Sequence, residues 1–274
     1  MYEGCFLALT FVVRICKLLS SKRMVKGLPY INAPNNICKE CVLDKYPGRS
    51  FPKESYNKVK IPLQLIYTDI CRPIIPSSFG GHHYFLTFIN DFSKKIWVYL
   101  LKEKLETFQA FKKFKALVEN QSGYTIKVLW SDHGKKFTSK KFEAFCKYHG
   151  IWRPLTTSYS PQQNSITERK NQTILDMVQS MLKTKEMPKE FWDETVNYAV
   201  YLLNRCPTKN LKGITPQKAW SSYKPNISHL KVFGCIAYAH ILDQRRSKLD
   251  DKSLSCIFIS YDARSKAYKL YEPK

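Results

Sequence analysis

Three acidic residues at widely separated positions could together perform metal-dependent chemistry on phosphate esters. Asp69 and Asp132 each end a short β-rich run, Leu63–Thr68 and Ile126–Ser131, and Glu168 lies early in a helical pattern. Three carboxylates that meet at one edge of a sheet repel each other unless cations neutralise them. Hard oxygen ligands favour Mg²⁺. Two such ions about 3.5–4 Å apart can activate an attacking oxygen and stabilise the leaving oxygen at phosphorus.

The stretch Ser160–Asn171 predicts a loop that feeds the helix carrying Glu168. Asn164 or Ser165 can cap that helix. Apolar residues then recur at helical spacing, at Ile174, Met177, Val178, Met181 and Leu182. Taken alone, Glu168 beside two basic residues is also typical of a solvated helix face with exposed ion pairs. The 35 intervening residues (133–167) between Asp132 and Glu168 favour the catalytic interpretation.

Four short motifs resemble the integrase core of copia-type LTR retrotransposons, within the retroviral integrase superfamily. They are Tyr67–Cys71 (YTDIC), Trp130–Asp132 (WSD), Pro161–Asn164 (PQQN) and Glu168–Asn171 (ERKN). The resemblance runs from about residue 18 to the end of the chain. It implies a ribonuclease-H-like fold with an Asp, Asp, 35 residues, Glu signature.

The resemblance also implies an activity. Water cleaves near a DNA 3′ end, and the new 3′-hydroxyl then attacks a target phosphodiester. Asp69 and Asp132 would hold one Mg²⁺ or Mn²⁺ ion, and Asp69 and Glu168 the second. The residues expected near DNA are Lys170 and Asn171 on the helix, at the DNA backbone, and Gln162, Gln163 and Asn164 in the preceding loop, beside the target phosphate. Such an enzyme would be nuclear, would bind element ends and target DNA, and would form a homo-oligomer.

The composition indicates an acidic partner. The 274-residue chain has a formal net charge of +23, and the excess is spread along its whole length. A chain this basic attracts polyanions, with salt-dependent binding to phosphates. Solubility alone is the alternative explanation. The apolar run Cys5–Val13 is too short to span a bilayer and lacks the positive flank of a signal peptide. We therefore expect an intracellular chain without membrane insertion.

The predicted fold class is α/β, with a five-stranded mixed sheet flanked by helices. With the resemblance, the sequence predicts that residues 1–60 form a degenerate zinc-module remnant and basic linker, 61–208 the catalytic core, and 209–274 a linker and small basic β-barrel-like subdomain. The first predicted core strand carries Asp69. The other four span His82–Asn90, Lys95–Leu101, Ile126–Trp130 and Ile151–Leu155. The core helices span Thr107–Val118, Ser139–Tyr148, the Glu168 segment and Phe191–Arg205. The terminal strands span Val232–His240, Cys256–Tyr261 and Ala267–Tyr271.

The subdomain's basic turns could lie along phosphates, or the subdomain could serve stability alone. These turns contain Arg245, Arg246, Lys248, Arg264 and Lys266.

The pair Cys38 and Cys41 forms half of a tetrahedral zinc site. In the family that it resembles, two histidines precede such a pair, but the first histidine of this chain is His82. We therefore expect no bound zinc. Nine cysteines at irregular spacing indicate reduced thiols instead of a disulfide framework.

Several departures from the family pattern leave activity open and suggest a truncated or degenerate copy. Lys135 and Lys136 replace residues of the usual Asn-Gly-Gly-Glu-Phe run and would compete with metal, and Arg72 and Ser165 replace glycines. The alternative hypothesis is an inactive nucleic-acid-binding relic of the same fold. A third is a ribonuclease-H-like nuclease that only hydrolyses.

Overall fold

The computed structural model describes residues 24, 59–131, 139–154, 161–242, 244, 247, 249–262, 265 and 267–273, and the side chains of 161–165 are excluded. Cys38 and Cys41, with almost all of the predicted zinc-module remnant, lie outside the described residues. So do the five basic turn residues of the C-terminal subdomain and Asp132. The predictions made for these positions remain predictions.

A mixed four-stranded sheet forms the centre of the described core. Its strands are β1 (Leu65–Ile70), β2 (Tyr84–Asn90), β3 (Ile96–Leu101) and β4 (Val128–Ser131), in the spatial order β3-β2-β1-β4. β1 and β4 are parallel, and the other pairs are antiparallel. The predicted fifth strand at Ile151–Leu155 is present only as a parallel bridge between Val128 and Trp152, and residues 155–160 are outside the described part.

Five α-helices accompany this sheet in the described residues: α1 (Thr107–Ser122), α2 (Lys140–Tyr148), α3 (Pro161–Thr184), α4 (Trp192–Arg205) and α5 (Pro216–Ser221). Gly123 ends α1, as predicted, because its φ of 71° suits a residue without Cβ. The side chain of Ser139 accepts a hydrogen bond from the backbone N–H of Phe142 and caps α2. The sequence analysis missed α5, although Thr215 as cap and Pro216 at the first helical position are a start signal.

The predicted beginning of α3 was wrong. Gln162, Gln163 and Asn164 were expected in a loop, with a cap at Asn164 or Ser165, but the helix starts at Pro161. Proline is favoured at a first helical position because its missing N–H has no helical partner there. Ser165 then lies within the helix, where φ is negative, so the absence of glycine imposes no strain.

The sheet separates two hydrophobic clusters. One face packs against α1 and α2 and contains Phe88, Phe114 and Phe142, all fully buried. The other face packs against α3 and α4 and contains Phe85, Ile174 and Val196. Helices therefore cover both faces, and the polar ends of β1 and α3 meet on the second face.

The C-terminal residues form a separate antiparallel sheet. Its strands are β5 (Ile236–His240), β6 (Ser253–Tyr261) and β7 (Tyr268–Tyr271), in that spatial order. The three predicted β runs are thus strands, with shifted ends. Closure of this sheet into a barrel remains a prediction. No helix in the described part of the chain is both long and apolar enough to cross a membrane.

Candidate active site at the contact of β1 and α3

Asp69 lies near the carboxyl end of β1, on the sheet face that packs against α3. Alternate residues of this strand are buried, and Ile66, Thr68 and Ile70 point to the opposite face. Asp69 pairs with Thr87 on β2. The Asp69 carboxylate is half-buried, so the fold presents it at the margin of the core instead of within it.

A buried amide joins Asp69 to helix α3. The side-chain nitrogen of Asn171 donates to Oδ2 of Asp69 at 3.2 Å, and the hydroxyl of Thr87 donates to Oδ1 of Asn171 at 2.8 Å. Asn171 is only 5% exposed, and Thr87 is fully buried. This network fixes the orientation of the Asp69 carboxylate and the position of α3 along β1.

Glu168 lies on α3 one turn before Asn171 and is exposed to solvent. Residues three apart on a helix are neighbours on its surface. The hydrogen bond from Asn171 to Asp69 therefore also brings the turn carrying Glu168 to the end of β1. Two of the three predicted catalytic residues occupy this one corner of the fold.

Strand β4, which precedes Asp132 in the chain, ends at Ser131 next to the same corner. Ser131 pairs with Thr68 in the parallel ladder of β4 and β1, and Thr68 immediately precedes Asp69. Asp132 follows Ser131 in the chain but lies outside the described residues.

Two residues predicted to contact DNA have different surroundings. Asn171 is buried, and both its amide oxygen and nitrogen are bonded within the protein, while its predicted contact with the DNA backbone stays a prediction. The ammonium group of Lys170 is partly buried, and burial lowers its pKa. Sequence analysis assigned Asn171 to DNA because the residue type and its place beside Glu168 do not reveal which way the side chain points.

Thr87 is a site residue that sequence analysis missed. It lies within the alternating pattern of β2, and that pattern predicted a strand but no site residue in it. Its role depends on pairing with Asp69, 18 residues away, and strand register is not visible in a single strand.

The donor atoms in this corner suit a hard divalent cation. Asp69 and Glu168 supply carboxylate oxygens, which Mg²⁺ prefers. Within the described ranges, no group of three His, Cys, Asp or Glu side chains could hold a metal ion. The predicted ligand set includes Asp132, so it extends beyond those ranges.

Comparisons with known proteins agree with this architecture. Residues 60–161 match the integrase core domain family, and residues 235–274 match the retroviral polymerase SH3-like domain family. The core match ends at Pro161, the first residue of the helix that carries Glu168. The sheet order, the helices on both of its faces and the two family matches define an integrase catalytic core of the ribonuclease-H-like fold, followed by an SH3-like domain.

Relatives that match most of the chain are retrotransposon polyproteins. The chain is 46% identical over 236 residues to the Retrovirus-related Pol polyprotein from transposon TNT 1-94 of Nicotiana tabacum, covering 86% of this chain and 18% of the polyprotein. It is 33% identical over 254 residues to the corresponding polyprotein from transposon RE2 of Arabidopsis thaliana, covering 92% and 17%. The chain belongs to the integrases of copia-type retrotransposons, as the resemblance predicted, and it spans less than a fifth of the length of these polyproteins.

A solved structure is similar over most of the chain. It is the simian T-cell lymphotropic virus intasome in complex with PP2A regulatory subunit B56 gamma, with a TM-score of 0.51 and 14% identity. The similarity covers 86% of this chain and 84% of that one. At this identity the likeness supports the fold.

Proposed function

We propose that this chain catalyses metal-dependent DNA 3′-end processing and strand transfer, with Asp69, Asp132 and Glu168 as the catalytic residues. The observation that carries the proposal is the hydrogen bond from Asn171 to Asp69, which brings the Glu168 turn of α3 to the end of β1. The pairing of Ser131 with Thr68 supports the inclusion of Asp132, the next residue in the chain.

The chain's own residues would supply binding and orientation. Asp69, Asp132 and Glu168 would hold Mg²⁺ or Mn²⁺, which when bound would neutralise charge around the reacting phosphodiester. Asn171 would keep the Asp69 carboxylate in one orientation, because its other amide atom is fixed by Thr87. Displacement at phosphorus depends mainly on such positioning and charge stabilisation.

The partners and location follow from the same proposal. DNA ends of the element and target DNA would be the substrates, the working form would be a homo-oligomer, and it would act in the nucleus. The net charge of +23 supports binding to DNA. The similar solved structure is that of a viral intasome in complex with a PP2A regulatory subunit.

A strand-transfer assay tests the catalytic residues. The full 274-residue chain would be incubated with Mg²⁺ or Mn²⁺, a labelled duplex carrying the ends of its element, and a plasmid target. We expect labelled plasmid from the wild type. We expect about 100-fold less or lower from Asp69→Asn, Asp132→Asn and Glu168→Gln, since each loses a ligand worth several kcal/mol of charge stabilisation.

The matched control is Asp176→Asn on the same helix. Asp176 is an exposed carboxylate bonded to Gln172, and we expect its variant to retain wild-type activity. Equal strand transfer by the wild type and Asp132→Asn would contradict the proposal. Cleaved DNA without joined product would instead identify a hydrolytic nuclease.

The second candidate function is DNA binding without catalysis. The substitutions Lys135 and Lys136 favour it, because they place positive charge beside Asp132 in the sequence. In that case neither the wild type nor any variant would cut DNA, and salt-sensitive DNA binding would persist in Asp69→Asn.

A further inference from the structure

Lys95 precedes the edge strand β3 and lies over two indole rings. Its ammonium nitrogen is 5.1 Å from the ring centroid of Trp97 and 5.5 Å from that of Trp220. The two rings meet edge to face, with centroids 4.9 Å apart. The ammonium group therefore has a fixed aromatic platform and is partly buried.

Arg205, the last residue of α4, has a similar platform on the neighbouring surface. Its guanidinium carbon is 3.4 Å from the ring centroid of Tyr201, which in turn stacks on Tyr261 at 4.6 Å. One terminal nitrogen donates to the carbonyl of Tyr201 at 3.1 Å. The Nε of Arg205 is buried and has no hydrogen-bond partner among the residues that the structure describes.

A pair of hydrogen bonds brings the two cations together. The backbone N–H of Ile96 donates to Oδ1 of Asn204 at 2.8 Å, and Nδ2 of Asn204 donates to the carbonyl of Ile96 at 2.8 Å. Lys95 and Arg205 are the sequence neighbours of these two residues. The fold therefore brings the backbones of Lys95 and Arg205 together at the junction of β3 and α4, and the guanidinium is near enough to lower the pKa of the Lys95 ammonium.

This arrangement is electrostatically unfavourable without an anion. Burial, and then the nearby Arg205, lowers the pKa of Lys95 to about 8. Burial also lowers the pKa of Arg205. In the described part of the chain neither forms an ion pair with a carboxylate, although Lys94 pairs with Asp91 and Lys115 with Glu119. Two partly buried like charges repel each other and lose hydration, so a bound anion would stabilise both.

We infer that Lys95 and Arg205 form a second DNA-binding site, which takes a backbone phosphate. Arginine suits phosphate because its planar fork donates two parallel hydrogen bonds, and lysine adds a point charge. The inference goes beyond the catalytic proposal and rests on it for the identity of the polyanion as DNA.

The site is distinct from the carboxylate corner but within reach of the same DNA. Lys95 accepts a backbone hydrogen bond from Asn90, which pairs with Ile66, three residues before Asp69. Two strand spacings and three residues of rise separate the two backbone positions by about 14 Å. The two backbone positions are therefore separated by about the length of a few nucleotides.

Binding of a labelled duplex by fluorescence anisotropy, in EDTA so that no cleavage occurs, tests this site. For the double variant Lys95→Gln with Arg205→Gln we expect about 10-fold weaker binding at physiological salt. In a plot of log affinity against log salt concentration, the slope of the double variant should be less steep than that of the wild type by about 1.8. Each of the two lost phosphate contacts contributes about 0.9 to the slope.

The matched control removes two charges that also lie over aromatic rings. Lys104 is 5.2 Å from the ring of Tyr84, and Lys112 is 4.3 Å from that of Phe108. We expect the Lys104→Gln and Lys112→Gln double variant to bind within about 2-fold of the wild type. Equal losses in both double variants would overturn the inference, because net charge alone would then explain the binding.

A lysine footprint keeps the test independent of folding defects. If Arg205→Gln melts early, Lys95→Gln alone should still weaken binding and lower the slope by about 0.9.

In the wild type, amine acetylation followed by mass spectrometry should show Lys95 protected by DNA and Lys112 unchanged. Acetylation of Lys95 that DNA does not alter would overturn the inference.

The pH dependence gives a further signature. Among the described residues, the charged group that lowers the pKa of Lys95 is Arg205, and the ion pair of Lys94 with Asp91 lies close by in the sequence. The amine of Lys95 in the DNA-free protein has a pKa of about 8, and a bound phosphate favours the charged form of that amine. DNA binding should therefore weaken as the pH rises through 8. Lys95→Arg should remove that decline while keeping tight binding. If no DNA binds the wild type at all, the functional proposal fails; if the wild type binds but these differences are absent, only this inference fails.

Discussion

At the scale of single residues, Asn171 connects the candidate catalytic strand and helix. Its amide donates to Asp69 and accepts from Thr87, and it is buried at 5% exposure. An aspartate there could not donate, and an aliphatic side chain could do neither. A neutral residue with one donor and one acceptor on the same planar group is what this place requires.

Replacing Asn171 with alanine should therefore affect both stability and catalysis. The substitution leaves the buried Thr87 hydroxyl with only its longer, 3.4 Å hydrogen bond to the carbonyl of Asp69, and we expect a loss of about 1–3 kcal/mol in the free energy of unfolding, measured with urea. Strand transfer should fall further than stability explains, since Asp69 loses its orienting donor.

The control for this prediction is the next residue of the helix. Gln172 is exposed. Among the described residues, its side chain forms a hydrogen bond only with Asp176. Gln172→Ala should change stability by less than about 0.5 kcal/mol. If Asn171→Ala were equally mild, the buried network would not hold α3 in place.

At the scale of secondary-structure elements, α4 fixes the edge strand of the sheet. β3 lies at one end of the sheet, so part of its backbone has no neighbouring strand. Asn204 supplies that pairing to Ile96 with two hydrogen bonds of 2.8 Å. The side chain of one helix residue thus replaces a strand contact and sets the position of Lys95 beside Arg205.

Removing the Asn204 amide should loosen this attachment. Asn204→Ala leaves a buried backbone N–H and carbonyl of Ile96 without partners, and we expect a loss of about 2–3 kcal/mol in unfolding free energy. Hydrogen exchange of the Ile96 amide should accelerate. Asn197→Ala, a partly buried position on the same helix, is the comparison and should cost less than about 1 kcal/mol. Unchanged exchange at Ile96 would contradict the role given to Asn204.

At the scale of the whole molecule, the integrase core and the C-terminal sheet share one hydrophobic cluster. Phe258 of β6 is 1% exposed and lies 5.9 Å from Tyr198 of α4, ring centroid to ring centroid. The carboxylate of Glu194 bonds to Ser260 at 2.6 Å and to Lys269 at 2.9 Å. These apolar and polar contacts tie β6 and β7 to α4.

Cooperative unfolding is the expected consequence. Phe258→Ala should remove about 3–5 kcal/mol by leaving a cavity in the shared cluster. The main calorimetric transition of the chain should move to lower temperature without splitting. Tyr238→Ala, at a 72% exposed position of the same sheet, should shift it little. A separate early transition in Phe258→Ala alone would show that the C-terminal sheet unfolds independently.

The amino-acid sequence alone determined the local features of this protein. A short hydrophobic, β-rich run placed Asp69 at the end of a strand, Gly123 marked the end of a helix, and the short motifs gave the integrase family. These signals are local because backbone preference and side-chain periodicity act over a few residues. The same local logic could have found the helix that starts at Thr215 and Pro216.

Only the tertiary structure decided which distant side chains meet. Asn171 is bonded across 102 residues to Asp69 and across 84 to Thr87, and Asn204 across 108 to Ile96. Those meetings depend on strand register and on how helices lie across the sheet, and neither leaves a mark in the neighbouring sequence. The burial of Asn171 and the adjacency of Lys95 and Arg205 therefore became visible only in the folded chain, because burial and charge proximity are properties of packing.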